Sequence, residues 1–238
     1  MAPKSIECYI DCVSPYSYYA FVFLKRNRAL LESHGVTVEF IPVFLGGINV
    51  GTGNKPPGEL PAKAAYSTFD SKRAQQYFGL SFTTPSFFPI LSLRPQRSLI
   101  YVQATYPRET YETLWLACFE AMWNAHLDLS LPDNMLVALR RAFPNSPRDV
   151  EAVVAAAGDV GVKAQLTANT EHAFKDLGAF GAPWCWVTGA EGKGEPFFGS
   201  DRWHFMWTFL GLPHCGYELL EPGARNHEQG AEAGRAKL

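Results

Sequence analysis

Ile10-Asp11-Cys12-Val13-Ser14-Pro15-Tyr16-Ser17-Tyr18-Tyr19 joins two kinds of sequence. Before it, Ser5 to Val13 is rich in strand formers, including Cys8, Tyr9 and Ile10, and predicts a strand. After it a helix is expected. Ser14 suits the N-cap, where its oxygen can accept a bond from an orphan first-turn amide. Pro15 suits the first helical position, where a missing N–H costs nothing. Gly35 stops the pattern about twenty residues later. A polar residue at such a junction sits at the positive end of the helix dipole. In the frame Ser14-Pro15-Tyr16-Ser17, two hydroxyls stand where a Cys-x-x-Cys motif would place two thiols. Dithiol redox cycling is therefore excluded at this position. A hydroxyl there can still donate to an anion, and a thiolate supplied by a substrate suits the setting. The plain alternative is that Ser14 only caps the helix.

Working outward, Val36 to Phe44 predicts a second strand, completing a parallel strand–helix–strand unit. Leu45 to Pro61 is crowded with glycine and proline and predicts a loop. Within it, Gly53-Asn54-Lys55-Pro56-Pro57 offers an amide and a cation, and Lys63 follows as a second cation. This is either a plain surface loop or a ligand-lining one. From Ala62 to about Thr170 the periodicity is helical, with helices predicted at 64–78, 110–127, 132–143, 148–157 and 161–174. Pro85, Pro89 and Pro95 predict a broken segment between the first two. Gly178-Ala179-Phe180-Gly181-Ala182-Pro183-Trp184-Cys185-Trp186-Val187 then approaches a strand. Pro183 should stand at its start, since proline cannot donate into a ladder, and a cis bond is favoured there. A short strand over 195–198 follows. Gly199-Ser200-Asp201-Arg202 is expected to open a last helix, with Ser200 as its N-cap.

The 238 residues carry 47% hydrophobic side chains, 18% charged ones and a formal net charge of −2. Such a chain can bury a large core, and with no long basic run nucleic acid is not an expected partner. No apolar run is long enough to span a membrane, and Met1 to Ser5 has no apolar signal region behind it. The five cysteines, Cys8, Cys12, Cys118, Cys185 and Cys215, include no Cys-x-x-Cys. An odd count without zinc-ligand spacing predicts reduced, buried thiols and no metal. Cys12 and Cys185 lie close to the proposed site and read as packing residues first. After Leu220 the sequence turns small and polar, so a flexible tail is expected over 221–238. It ends Ala236-Lys237-Leu238, a small-for-small variant of the peroxisomal Ser-Lys-Leu address.

The element order is β-α-β, a helical block, then β-β-α. It predicts an α/β, thioredoxin-like fold with an inserted α-helical subdomain. The expected parts are 1–61 and 175–220 for the core, 62–174 for the insertion and 221–238 for the tail. With Asp11, Ser14-Pro15-Tyr16-Ser17, Gly53-Asn54-Lys55-Pro56-Pro57, the 178–183 stretch and Phe198-Gly199-Ser200-Asp201-Arg202, the chain resembles the kappa-class glutathione transferases. These belong with the DsbA-like oxidoreductases and the 2-hydroxychromene-2-carboxylate isomerases.

The resemblance implies that Ser14 hydrogen-bonds the glutathione sulfur, with Pro15 and Tyr16 beside it. It implies that the backbone of Ala182, before Pro183, pairs with the cysteinyl unit. Ser200 and Asp201 match the γ-glutamyl site, and Asn54 and Lys63 the glycine end. It also implies a homodimer, a hydrophobic electrophile as co-substrate, peroxidase side activity, and a peroxisomal address that an import receptor reads at Ala236-Lys237-Leu238. Cytoplasm or mitochondrion is the alternative location. Trp184, Cys185, Trp186, Trp203, His204 and Trp207 are bulkier than the resemblance suggests. They are either core and dimer packing or an aromatic wall facing a flat co-substrate. Two other readings stand beside transfer. One is a glutathione-dependent isomerase, in which glutathione adds and leaves unchanged; the other is a redox-inactive binding or chaperone-like module. A serine hydrolase lacks its Gly-x-Ser-x-Gly elbow here.

Overall fold

The computed structural model describes residues 3–224, so Ala236-Lys237-Leu238 and nearly all of the tail lie outside the described residues. Strand β1 (Lys4–Ile10) is central in a four-stranded sheet ordered β2-β1-β3-β4. Strand β2 (Val36–Pro42) runs parallel to it, with Lys4 opposite Val36 and Ile10 opposite Pro42. Strand β3 (Trp184–Thr188) runs antiparallel on its other side, with Cys8 opposite Cys185. Strand β4 (Gly194–Phe198) closes that edge.

Both parallel strands are shorter than the sequence predicts, for hydrogen-bonding reasons. After Ile10 the chain turns at once. Ser14 N reaches the Asp11 carbonyl at 3.0 Å, and Val13 N bonds the Asp11 carboxylate at 3.1 Å. After Val43 the next two amides leave the ladder, Phe44 N for Thr170 Oγ1 and Leu45 N for Asp11 Oδ2.

Helix α1 (Pro15–Ser33) follows the expected turn, and Gly35 takes the left-handed φ of +72° that ends it. The predicted loop over 45–61 is corrected. It holds helix α2 (Leu45–Thr52) and a 3-10 turn at Pro57–Glu59. The glycines there serve close packing. A Cβ on Gly51 would meet the Phe174 ring at 2.6 Å, and one on Gly47 would meet Thr170 at 3.1 Å. Helix α3 spans Pro61–Phe78.

Helix α4 (Leu93–Thr105) is a second correction, since Pro95 suggested a break. Pro95 lies in the first turn, where its missing N–H removes no intrahelical bond. Helices α5 (Arg108–Trp123), α6 (Pro132–Ala142), α7 (Pro147–Ala156) and α8 (Val160–Glu171) complete the helical block, and α8 runs into a π turn at His172–Asp176. Helix α9 (Trp203–Leu210) and a two-residue ladder, β5 (His214–Cys215) with β6 (Glu218–Leu219), end the described chain.

The insertion and the sheet share one core. Phe21 of α1 packs on Phe40 of β2 at 4.7 Å between ring centroids. Tyr18 stacks on Phe119 of α5 at 4.7 Å and 4°. Trp203 stacks on Phe23 at 4.5 Å, and both Trp203 and Trp207 are fully buried. Trp203 and Trp207 are therefore packing residues and not part of an aromatic wall facing a co-substrate, while Phe205 of the same helix is exposed. Trp184 is buried as well, in a smaller cluster with Tyr9, Val43 and Ile48. Among the described residues no helix is long and apolar enough to cross a membrane.

Candidate active site

Ser14 caps α1 with extended backbone (φ −98°, ψ 119°), and its Oγ accepts from Ser17 N at 3.2 Å. Its own proton goes to the Ala182 carbonyl at 2.9 Å, across 168 residues of sequence. Both readings of this residue thus have a physical basis: it is a helix cap, and it is a donor at a junction between distant segments. Ser17, the second hydroxyl, is fully buried and accepts from Asp11 N at 3.4 Å, so it is a structural residue. In the first turn of α1, Pro15 has no N–H, Ser17 N takes Ser14 Oγ and Tyr18 N takes the Ser14 carbonyl. Tyr16 N has no partner among the described residues. One amide without a partner among the described residues and the positive end of a 19-residue helix therefore lie beside Ser14.

The Ala182–Pro183 bond is cis, as expected, and Pro183 immediately precedes β3. The Pro183 carbonyl accepts from Gly199 N at 3.1 Å, which draws the 199–201 turn beside it. Gly199 has φ +92°, and a Cβ there would stand 3.1 Å from Asp201 Oδ1, so glycine is required. On the other side, Asn54 Nδ2 donates to the Phe180 carbonyl at 2.5 Å. Ser14, Asn54, Ala182, Pro183 and the Ser200–Asp201 turn are in this way linked by hydrogen bonds or by adjacency to bonded residues.

One expectation changes. Ser200 does not cap α9; Arg202 is the N-cap and makes no side-chain cap bond. Ser200 is instead buried in the bend two residues earlier. Asp201 is exposed, and its carboxylate lies 3.3 Å from the neighbouring Arg202 guanidinium. Exposed pairs of this kind are worth about 0–1 kcal/mol, so a better-placed cation can displace Arg202. Lys63 sits exposed in the first turn of α3. No hydrogen bond or ion pair ties it to the other site residues among the described residues.

Tyr16 is half-buried, and its hydroxyl is raised by burial first and then by Asp70, Tyr66 and Asp201. That places two carboxylates, Asp70 of α3 and Asp201, on the Tyr16 side of the site. Asp70 escapes a sequence reading because nothing marks it among the surface residues of α3. Phe180 and Phe198, 43% and 42% exposed with ring centroids 4.5 Å apart, form an apolar face flanking Ala182 and Pro183.

Asp11 lies beneath Ser14. It is fully buried, and burial pushes its carboxyl up to about 6, while donors from Ser92, Leu45 N and Val13 N pull it back. The sign follows from a folded value above the unfolded one. Its protonated form stabilises the fold below about pH 4, and that contribution is lost as pH rises through about 6. Holding this group ionised at neutral pH is a standing cost that the donors offset. Its signal in the sequence is an acid directly after the apolar end of a strand.

All five cysteines are free, and four are buried. Cys8 and Cys185 face each other across β1 and β3 with sulfurs 3.4 Å apart, and burial drives the Cys8 and Cys12 thiols well above their usual range. Thiols so placed are poor nucleophiles. Among the described residues no group of three His, Cys, Asp or Glu side chains could hold a metal ion.

A hydroxyl at a helix N-terminus, bonded to the backbone before a cis-proline in a sheet of this order, defines a thioredoxin-type site without its thiols. The chain belongs to the DsbA-like thioredoxin domain family, which matches residues 5–211. Within that family it is similar to glutathione S-transferase kappa 1 of Caenorhabditis elegans, at 30% identity over 87% of this chain and 91% of the relative. It is similar to human glutathione S-transferase kappa 1 at 29% identity, over 90% of this chain and 94% of the relative. Its fold is that of a solved 2-hydroxychromene-2-carboxylate isomerase, with a TM-score of 0.69 and 20% identity over 87% of this chain and 94% of that one.

Proposed function

We propose that the chain is a glutathione transferase, binding glutathione at Ser14, Pro15, Tyr16, Asn54, Lys63, Ala182, Pro183, Ser200 and Asp201. The observation that carries the reading is the Ser14–Ala182 bond at the amino end of α1, beside an unpartnered Tyr16 amide. A free thiol titrates near ~8.5 and is mostly protonated at neutral pH. A sulfur brought beside Ser14 meets the helix dipole and competes with the Ala182 carbonyl for the Ser14 proton. A thiolate wins that competition, because bonds to an ionised acceptor are about twice as strong as neutral ones. The thiol proton leaves to solvent. The sulfur then forms a bond to an electrophilic carbon, and the leaving group departs with its electron pair. Phe180 and Phe198 suit a hydrophobic electrophile. Consumption of glutathione with a halo-dinitrobenzene tests the transferase reading. Turnover of a chromene carboxylate with no net consumption would favour the isomerase.

Asp201→Ala is expected to weaken glutathione binding about fivefold with an unchanged melting temperature, since the γ-glutamyl ammonium loses an exposed carboxylate. Calorimetry reads it, and an unchanged affinity would remove the γ-glutamyl assignment. We also propose a homodimer. Light scattering at micromolar concentration should return twice the chain mass, and a monomer contradicts it. A peroxisomal address at Ala236-Lys237-Leu238 belongs to the same proposal and rests on the tripeptide alone.

A further inference from the structure

We propose that Asp11 is a positioning residue for the Ser14 hydroxyl, holding two separate elements, α2 and α4, against the loop that presents it. This rests on the glutathione reading above. The carboxylate is fully buried and, among the described residues, has no cation against it. Its Oδ1 accepts from Val13 N at 3.1 Å, one residue before Ser14. Its Oδ2 accepts from Leu45 N at the start of α2, at 2.8 Å, and from Ser92 Oγ at the start of α4, at 2.7 Å. The same loop is held from the insertion at two further points. Gln96 Nε2 donates to the Ile10 carbonyl at 2.9 Å, and Trp123 Nε1 donates to the Cys12 carbonyl at 2.9 Å. Asp11 is the one charged member of this set. It also reaches the backbone of the Ser14 turn from within, so it joins Gln96 and Trp123 in fixing that turn and adds the ties to α2 and α4.

An amide cannot replace this carboxylate. Oδ1 and Oδ2 both face N–H donors, and Asn would set its own NH2 against one of them. The titratable groups facing Asp11 are few. The Cys12 thiol adjoins it and donates to it. Helix α2 carries no titratable side chain. From α4, Arg94 is turned to the Ser130 carbonyl. From α1, the Ser17 hydroxyl faces the Asp11 amide rather than its carboxylate. Among the described residues an acid limb assigned to Asp11 therefore has no competing carboxylate in contact.

The test is the apparent pKa of bound glutathione, read by thiolate absorbance, in Asp11→Asn, Ser14→Ala and the double variant. Asp11→Asn is expected to raise that pKa by about one unit and lower kcat/KM at neutral pH about tenfold. The glutathione Kd should change much less. In the double variant the pKa should equal that of Ser14→Ala alone, because Asp11 acts only through Ser14. Additive shifts, or an unchanged pKa in Asp11→Asn, would overturn the inference. If Asp11→Asn fails to fold, Ser92→Ala keeps the carboxylate and removes one donor that favours its ionised form. The acid limb of kcat/KM should then move to higher pH, and a limb that stays in place overturns the inference. A parent protein that binds glutathione without forming thiolate overturns the glutathione reading first, and this inference with it.

Discussion

Ser14→Ala is expected to slow glutathione conjugation at neutral pH by about one to two orders of magnitude. In the proposed complex the deleted hydroxyl donates to a thiolate, and a bond to a charged group is worth roughly 1.5–3 kcal/mol. The loss should appear as a raised pKa of bound glutathione. Much of the rate should therefore return as pH rises and the thiolate forms unaided. Affinity should change far less, because the proposed site places Asn54, Ala182, Ser200 and Asp201 along the rest of the tripeptide. The same oxygen accepts from Ser17 N at 3.2 Å, so the variant also loses a cap worth about 1 kcal/mol. A lower melt is thus expected in any case and decides nothing. The pH–rate profile decides: a variant profile that overlays the parent's leaves Ser14 as a cap alone.

The largest stability effect is expected far from the site, at Glu112 on α5. Its carboxylate lies 2.6 Å from the Arg28 guanidinium of α1, with both side chains about nine-tenths buried. Arg28 also donates to the Val38 carbonyl of β2 at 2.7 Å, so one side chain ties α1, α5 and the sheet together. Glu112→Ala leaves a buried guanidinium with only Glu32, at 3.9 Å, for partial compensation. About 3–5 kcal/mol should be lost. For a chain of this size that lowers the melting temperature by roughly 10 °C. Replacing both partners, Arg28→Met with Glu112→Leu, should recover most of the loss, because no unpaired charge then stays buried. A double variant as unstable as the single one would show that packing, not the orphaned charge, sets the cost.

These residues differ in how far the sequence exposes them. The Ser14 turn and the proline before β3 are legible because local chemistry dictates them: an N-cap followed by proline, and a proline barred from a central ladder. Helix α2 is not legible. Gly46, Gly47 and Gly51 look like loop residues, yet Gly47 and Gly51 are small because α2 packs against Thr170 and Phe174, and Gly46 because the Phe44 ring lies over it, requirements that exist only in three dimensions. Helix α4 hides for the opposite reason. Pro95 reads as a breaker, and only its place in the first turn makes it harmless. Ser200 has the right residue type for a cap, but the Gly199–Pro183 backbone bond holds that turn back and the helix begins at Trp203. Aromatic side chains carry no address either. Trp203 is core, while Phe180 and Phe198 flank the site, and residue type alone does not separate them. The role of Asp11 depends on Leu45 and Ser92, which come near it only when the chain folds.

The central claim is that glutathione is held as a thiolate where Ser14 meets Ala182. Titrating the protein with glutathione at pH 7, followed by thiolate absorbance in the ultraviolet, tests it without any assumption about the electrophile. The account predicts a saturable signal of about one thiolate per site, at a pH where free glutathione with a pKa near ~8.5 is almost all thiol. Saturable binding with no thiolate signal, or no binding, would contradict it.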